Sequence, residues 1–164
     1  SVVPKMTRVK LSQMLDGFDR IVRMIPNAPS IVGRGYNPMT VSPSLSEAER
    51  NELVGLLSAL GECPEVAEET LEVYAVISAM GPTYFWPQLY ELRSLTESFG
   101  LPADKAVEAV GKMLTGTLET MDRSGLSPEE VQDLIPVKPL AEDVATLIDA
   151  YRKKLTGLME KLRA

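Results

Sequence analysis

The stretch Arg20-Ile-Val-Arg-Met-Ile-Pro-Asn-Ala-Pro29, followed by Val32-Gly-Arg-Gly35, decides how the chain is read. Arg20–Ile25 is a β-branched run that ends at Pro26–Asn27, which is a strand-then-turn pattern. Pro29, Gly33, Gly35 and Pro38 punctuate the loop that follows, and Met39–Val41 reads as a second short strand. Upstream, Ser1–Val3 is a short apolar stub, and Leu11, Met14, Leu15 and Phe18 recur at helical spacing before the chain breaks at Gly17–Phe18. Strand, helix and strand within so few residues look like the end of an α/β sheet. Two or three strands are too few to cover both faces of such a sheet unaided.

From residue 44 the pattern turns helical and remains so. Ser46 and Glu49 form a capping box, each side chain satisfying the other's free backbone N–H. Leu53, Leu56, Leu57 and Leu60 are expected to form one apolar face, with Gly61 as the stop. A second helix is expected from about Glu68 to Met80, interrupted by Gly81–Pro82. The next segment carries Phe85, Leu89, Leu92 and Phe99 on one face and a kinking proline at Pro87. Gly100–Leu101–Pro102 opens a helix with Val107, Val110, Leu114, Leu118 and Met121 inward and Gly125 as its stop. Ser127 and Glu130 form a second capping box, and Pro136 and Pro139 close the short helix behind it. The last helix, Leu140–Arg163, spaces Val144, Ile148, Tyr151, Leu155, Leu158 and Leu162 as a heptad seam, the pattern of a coiled coil or of a bundle helix with an antiparallel partner. The organisation read from sequence is therefore residues 1–43 as a sheet end and residues 44–164 as a mainly α helical domain.

Composition narrows the chemistry. The 164 residues carry a formal charge of −6 and no dense basic stripe outside the last dozen residues, so nucleic acid is not an expected partner. No apolar run approaches the roughly 20 residues needed to cross a bilayer, so no membrane is expected either. Cys63 is the single cysteine, which fits a reducing, cytoplasmic setting. There is no histidine, which removes the commonest general base and most transition-metal sites, and no metal ligands are assigned. Gly33-x-Gly35 reads as a turn; it lies between two strands, where no helix N-terminus can cradle a phosphate. The acidic group Glu62, Glu65, Glu68 and Glu69 reads as a solvated helix start, and Tyr84, Phe85, Trp86 and Tyr90 as core or interface packing.

Four stretches in order resemble the pyrroline-5-carboxylate reductase family. They are residues 20–35 quoted above, Ser46 to Gly61 with the acidic Glu68 after it, Ile77-Ser-Ala-Met-Gly-Pro-Thr-Tyr84, and Phe99-Gly-Leu-Pro-Ala-Asp-Lys-Ala106. The resemblance implies an NAD(P)-dependent oxidoreductase that reduces an imine by hydride transfer. It also implies a helical dimerisation bundle of the 6-phosphogluconate-dehydrogenase-like type behind the last strands of a Rossmann-type sheet, paired as a homodimer. On that map residues 1–43 are the remnant of the nucleotide-binding domain. The N-terminal Rossmann half with its glycine loop is missing, so NAD or NADP belongs to the full-length parent and is not expected to bind this chain firmly. Val2, Val3, Pro26 and Asn27 fall on cofactor-facing positions. Glu68, Ser78, Gly81 and Pro82 fall along the substrate cleft, joined by Lys138 and Glu142 from the stretch Ile135–Asp143. That stretch departs from the family loop S-P-G-G-x-T: both glycines, the serine and the threonine are replaced, and Lys138 is the cation left to meet a carboxylate. The alternative reading is a non-catalytic dimerisation or interaction module that kept the fold and lost the substrate loop.

Overall fold

The computed structural model describes residues 1–163. It is mostly helical, and its backbone clusters into two compact units, Ser1–Pro82 together with the chain from Ala150 on, and Thr83–Asp149. The change in sequence character at residue 43 is not a break in packing, since residues on both sides of it build the first unit.

The first unit begins with helix α1 (Arg8–Met14), capped by the Thr7 hydroxyl, which accepts from the Lys10 N–H. Asp16 and Gly17, both at positive φ, turn the chain out of it. Strand β1 (Val22–Met24) pairs antiparallel with β3 (Met39–Val41) in the register Val22 to Val41 and Met24 to Met39. Between them a 3₁₀ turn (Ala28–Val32) leads through Gly33 at φ 66° into β2 (Gly35–Tyr36). β2 pairs in parallel with β4 (Gly61–Glu62). Both expected strands are present, and the Gly33-x-Gly35 turn lies where the glycines placed it. Helix α2 (Glu47–Leu57) starts on the Ser46–Glu49 capping box, both halves of which form. It tightens into a 3₁₀ turn before Gly61, at φ 116°, ends it. Its expected apolar face is only partly realised: Leu53, Leu57 and Leu60 are half-buried, but Leu56 is 77% exposed. Leu56 is therefore not a core residue of the described chain.

The segment expected as one helix over 68–80 is a composite. A 3₁₀ turn (Glu68–Thr70) runs into α3 (Leu71–Tyr74) and then into a π turn (Ala75–Ala79), closed by the Met80 N–H donating to the Ala75 carbonyl. Leu71 and Ala75 from this segment and Ile25 from the end of β1 form the small apolar core, with Val66, Ala79 and Leu162 packed on it. Complete burial of a leucine such as Leu71 contributes roughly 1.5–3 kcal/mol.

One charge is sealed inside the same unit. Ile21, Arg23 and Ile25 alternate inward along β1, and Arg23 is 2% exposed. Its guanidinium donates to Glu68 Oε1 and to Glu72 Oε1, each at 2.9 Å. Glu68 also accepts the backbone N–H of Arg8 at 2.7 Å and its Nε–H at 3.0 Å, while Arg8 Nη1 donates to the Val41 carbonyl. Reading Glu62, Glu65, Glu68 and Glu69 as a solvated helix start is thus corrected for Glu68, which is locked between two arginines; Glu65 pairs with Arg50 but stays exposed. Burial works to raise the Glu68 pKa, but the Arg8 backbone and side-chain donors and the Arg23 donor outweigh it and hold the carboxyl below its ordinary value.

In the second unit, α4 (Pro82–Ser98, of which Thr83 onward belongs here) holds Pro87 inside it, and α5 (Ala103–Arg123) follows the Gly100 turn. Helix α6 (Pro128–Asp133) opens on the Ser127–Glu130 capping box, which forms in full. Helix α7 (Val144–Arg163) starts four residues later than expected, after turns over 139–143. The expected inward faces of α4 and α5 are largely open in the single chain. Phe85, Leu92, Phe99, Val107, Leu118 and Met121 are all exposed, and Ala106 and Val110 are the buried residues of the described unit. Along α7 the seam divides: Val144 and Ile148 are exposed, whereas Tyr151, Leu155, Leu158 and Leu162 are half-buried in the first unit.

Two glycines in helix and strand should respond oppositely to alanine. A Cβ on Gly61 would sit 2.3 Å from the Gly35 carbonyl oxygen at a positive φ, so Gly61→Ala should cost roughly 2–4 kcal/mol and open the β2–β4 pair. Gly55 lies on α2 with nothing within 4 Å of its Cβ position, so Gly55→Ala should stabilise by up to about 1 kcal/mol. Urea unfolding followed by circular dichroism measures both. The ion cluster gives a second expectation: Arg23→Met strands Glu72, leaves Glu68 to Arg8 alone and should cost about 3–5 kcal/mol. Because the folded Glu68 pKa is depressed, its contribution is fully present above the ordinary value of 4.5 and is lost as pH falls through the lower, folded value. Glu68→Gln should flatten that acid limb of the stability curve, and an unchanged acid limb would show that Glu68 is not the titrating group.

Candidate functional site

The sequence singled out a strand end at Pro26–Asn27 and a helix junction at Ser78–Gly81–Pro82, and the first unit brings the two together. Asn27 makes the join with its side chain. Its Oδ1 accepts the Tyr36 N–H at 3.1 Å, and its Nδ2 reaches the Ser78 carbonyl at 3.5 Å. The Ser78 hydroxyl is turned back into its own helix, donating to the Tyr74 carbonyl at 2.7 Å. Gly81 is buried, and a Cβ there would meet the Ile77 carbonyl oxygen at 2.1 Å, so only glycine lets Pro82 start α4 directly behind the π turn. π turns inside helices recur at functional positions, where the extra residue redirects carbonyls and side chains. This one displaces the helical register just where Asn27 docks.

A residue that the sequence reading did not select holds the strand end in place. Asn37 is fully buried; its Oδ1 accepts from the Asn27 N–H at 3.0 Å and from the Ser30 hydroxyl at 2.9 Å, and its Nδ2 lies 3.5 Å from the Leu60 carbonyl. Gly35 is packed between these partners, with its Cβ position 2.1 Å from Ser30 Oγ. Buried amides with every bond made are rigid and costly to disturb. The signal for Asn37 was weak in sequence: an asparagine before a proline in a loop reads as ordinary turn chemistry.

Val2 and Val3 are exposed. They follow Ser1, whose carbonyl accepts the Met24 N–H at 2.9 Å, so the stub runs along the open edge of β1. Glu68 lines the space beside Arg8 and Arg23 with both of its carboxylate oxygens engaged. Lys138 and Glu142 lie in the second unit, both exposed; Lys138 pairs with Asp133 at 3.0 Å. The whole stretch 134–143 is solvent-exposed, and Pro136 and Pro139 offer it no N–H. Among the described residues no group of three or more His, Cys, Asp or Glu side chains is arranged to hold a metal ion, and no helix is long and apolar enough to cross a membrane.

No protein-family model matches the chain. Curated proteins do. The chain is 25% identical over 127 residues to pyrroline-5-carboxylate reductase of Glycine max, covering 77% of this chain and 46% of that protein. It is 27% identical over 137 residues to the Corynebacterium melassecola protein of the same name, covering 84% and 50%. The chain thus spans about half the length of the curated relatives it matches. Among solved structures, Plasmodium falciparum pyrroline carboxylate reductase with NADP bound superposes with a TM-score of 0.75 at 20% identity, over 99% of this chain and 66% of that one. The Coxiella burnetii pyrroline-5-carboxylate reductase gives 0.68 at 21% identity, over 96% and 61%. The chain is therefore similar in sequence to the pyrroline-5-carboxylate reductases across about three quarters of its length and shares their fold across nearly all of it.

Proposed function

We propose that this chain is the sheet-end and helical part of an NAD(P)-dependent reductase that transfers a hydride to a C=N bond. The observation that carries the reading is the Asn27 junction, which fixes the strand end at Pro26–Asn27 beside the Ser78–Gly81 turn. On the family resemblance, the first segment meets the nicotinamide and the second lines the imine. When bound, the cofactor supplies the hydride; the chain supplies orientation, which for a two-reactant step accounts for several kcal/mol of the barrier. Pro26 and Asn27 fit the nicotinamide end, since the Asn27 N–H is held by Asn37 and fixes the strand end there. The pyrophosphate does not fit this chain: no glycine-rich strand-to-helix turn occurs in it, and that contact falls to residues outside it. Glu68 acts by placement, since both oxygens are taken and the carboxyl is held ionised.

The loop 135–143 favours a substrate held differently from a pyrroline carboxylate. It lacks glycine amides, its prolines donate nothing, and its one cation is already paired with Asp133. The same observation supports the second reading, an interaction module without turnover. NAD(P)H oxidation by the full-length protein separates them, with pyrroline-5-carboxylate and 1-pyrroline as the two imines. We expect 1-pyrroline to match or exceed the carboxylated imine in kcat/KM. A preference of more than about tenfold for pyrroline-5-carboxylate that survives Lys138→Ala would overturn the loop argument. No oxidation with either imine would favour the module.

A homodimer through α4 and α5 accompanies this proposal. Phe85, Phe99, Val107, Leu118 and Met121 are exposed on the single chain, and Gly111 and Gly116 have nothing within 4 Å of their Cβ positions, leaving room for close helix approach. An interface of the obligate class, above about 2,000 Å², would cover them. Sedimentation at micromolar concentration should give a dimer that Leu118→Arg weakens; a wild-type monomer rules the arrangement out.

A further inference from the structure

One open pocket of the first unit lies apart from the Asn27 junction, with Glu68 on its wall. It encloses about 470 Å³ between the loop before α1, the face of α3 and the end of α7. That is within the range of small-ligand sites. Its charged groups divide into two sets. Glu68 and Glu72 are neutralised from below by Arg8 and Arg23. Lys5, Lys10 and Arg163 also line it, and among the described residues none of the three has a carboxylate within ion-pair distance, while Glu69 is the single unpaired acid. The pocket therefore carries a cationic excess on a chain whose formal charge is −6.

Its uncharged groups add to this. Thr7 Oγ1 accepts from the Lys10 N–H, which leaves the hydroxyl proton free to donate outward. Arg23 lies beneath, 2% exposed, with its Nε–H lacking any acceptor. Leu162 forms an apolar wall, lowering the local dielectric and strengthening whatever the cations hold. Lys5 sits at φ 64°, a left-handed backbone that non-glycine residues rarely adopt, and its N–H is tied to Glu72 Oε1 at 3.2 Å. The backbone is thus pinned where the Lys5 side chain contributes to the rim.

We propose that this pocket binds a small oxyanion, a phosphate or carboxylate group, through Lys5, Thr7, Lys10 and Arg163. Unpaired cations around an open concavity, with a hydroxyl donor and one apolar wall, recognise such a group and leave space for a small organic body attached to it. The association is electrostatic at its rim and weakens with salt.

Amide chemical-shift mapping on the complete 164-residue chain tests this, with sodium phosphate and sodium succinate titrated separately and sodium chloride at matched ionic strength as the control. Saturable shifts at Lys5, Thr7, Lys10 and Arg163, with midpoints on the order of 1–10 mM, are expected for at least one anion. The tighter of the two names the chemistry. The exposed double variant Lys10→Gln/Arg163→Gln should keep the fold and bind roughly tenfold more weakly. Shifts reproduced by sodium chloride, no saturation with either anion, or unchanged affinity in the double variant would overturn the proposal.

Discussion

The first unit depends on one buried positive charge. A guanidinium at 2% exposure cannot stay without anions, because the desolvation cost is several kcal/mol and arginine does not neutralise itself by losing a proton. Arg23 therefore dictates where Glu68 and Glu72 must be, and their four-residue spacing puts both on one side of the 68–74 segment. Arg8 repeats the demand from α1 and adds a bond to the Val41 carbonyl. Strand, helix start and α1 are thus fixed by four side chains whose charges leave few other arrangements. The apolar core beside them, Ile25, Leu71 and Ala75, is too small to set that geometry by itself.

A neutral version of the same logic operates at the candidate site. Asn37 and Asn27 pass hydrogen bonds from the β1 end through β2 to the π turn, and each amide has its partners. Charge fixes one end of the 68–80 segment and amides the other, so Ser78 and Gly81 stand in a defined place relative to Pro26. An orienting role needs this: a misplacement of about 1 Å costs on the order of a hundredfold in rate. On the proposed reading it also accounts for a hydride transfer served by a chain without histidine, since the chemistry asked of it is position.

What could be read from the sequence was local. Both capping boxes, the stops at Gly61 and Gly125, the strand at Arg20–Ile25 and Pro82 at a helix start are each written within a few residues, and each is present in the structure. The Arg23–Glu68 pair spans 45 positions, and nothing in either neighbourhood marks it, so Glu68 read as one of several solvated acids. Asn37 was hidden differently: its partners are near in sequence, but an asparagine before a proline reads as a turn residue. The π turn was invisible because the run Ala75–Ala79 has no composition that separates i+5 from i+4 bonding. Leu56 misled because periodicity records what a helix face is suited to bury, and in the single chain nothing lies over it.

That last distinction matters most in the second unit. Its helices α4 and α5 are patterned for burial, yet Ala106 and Val110 are its buried residues among those described, and both are small. A helical unit of this size with so little covered surface lacks the apolar burial that must offset chain entropy. On the proposed reading the missing burial comes from a second copy. Folding of that unit and association are then one equilibrium, and its stability rises with protein concentration by mass action. The stretch 134–143 belongs to this same unit, so on the proposed reading any substrate contact it makes is set by how the second copy completes the unit. The departures in that loop are therefore changes to a surface whose geometry the single chain does not by itself determine.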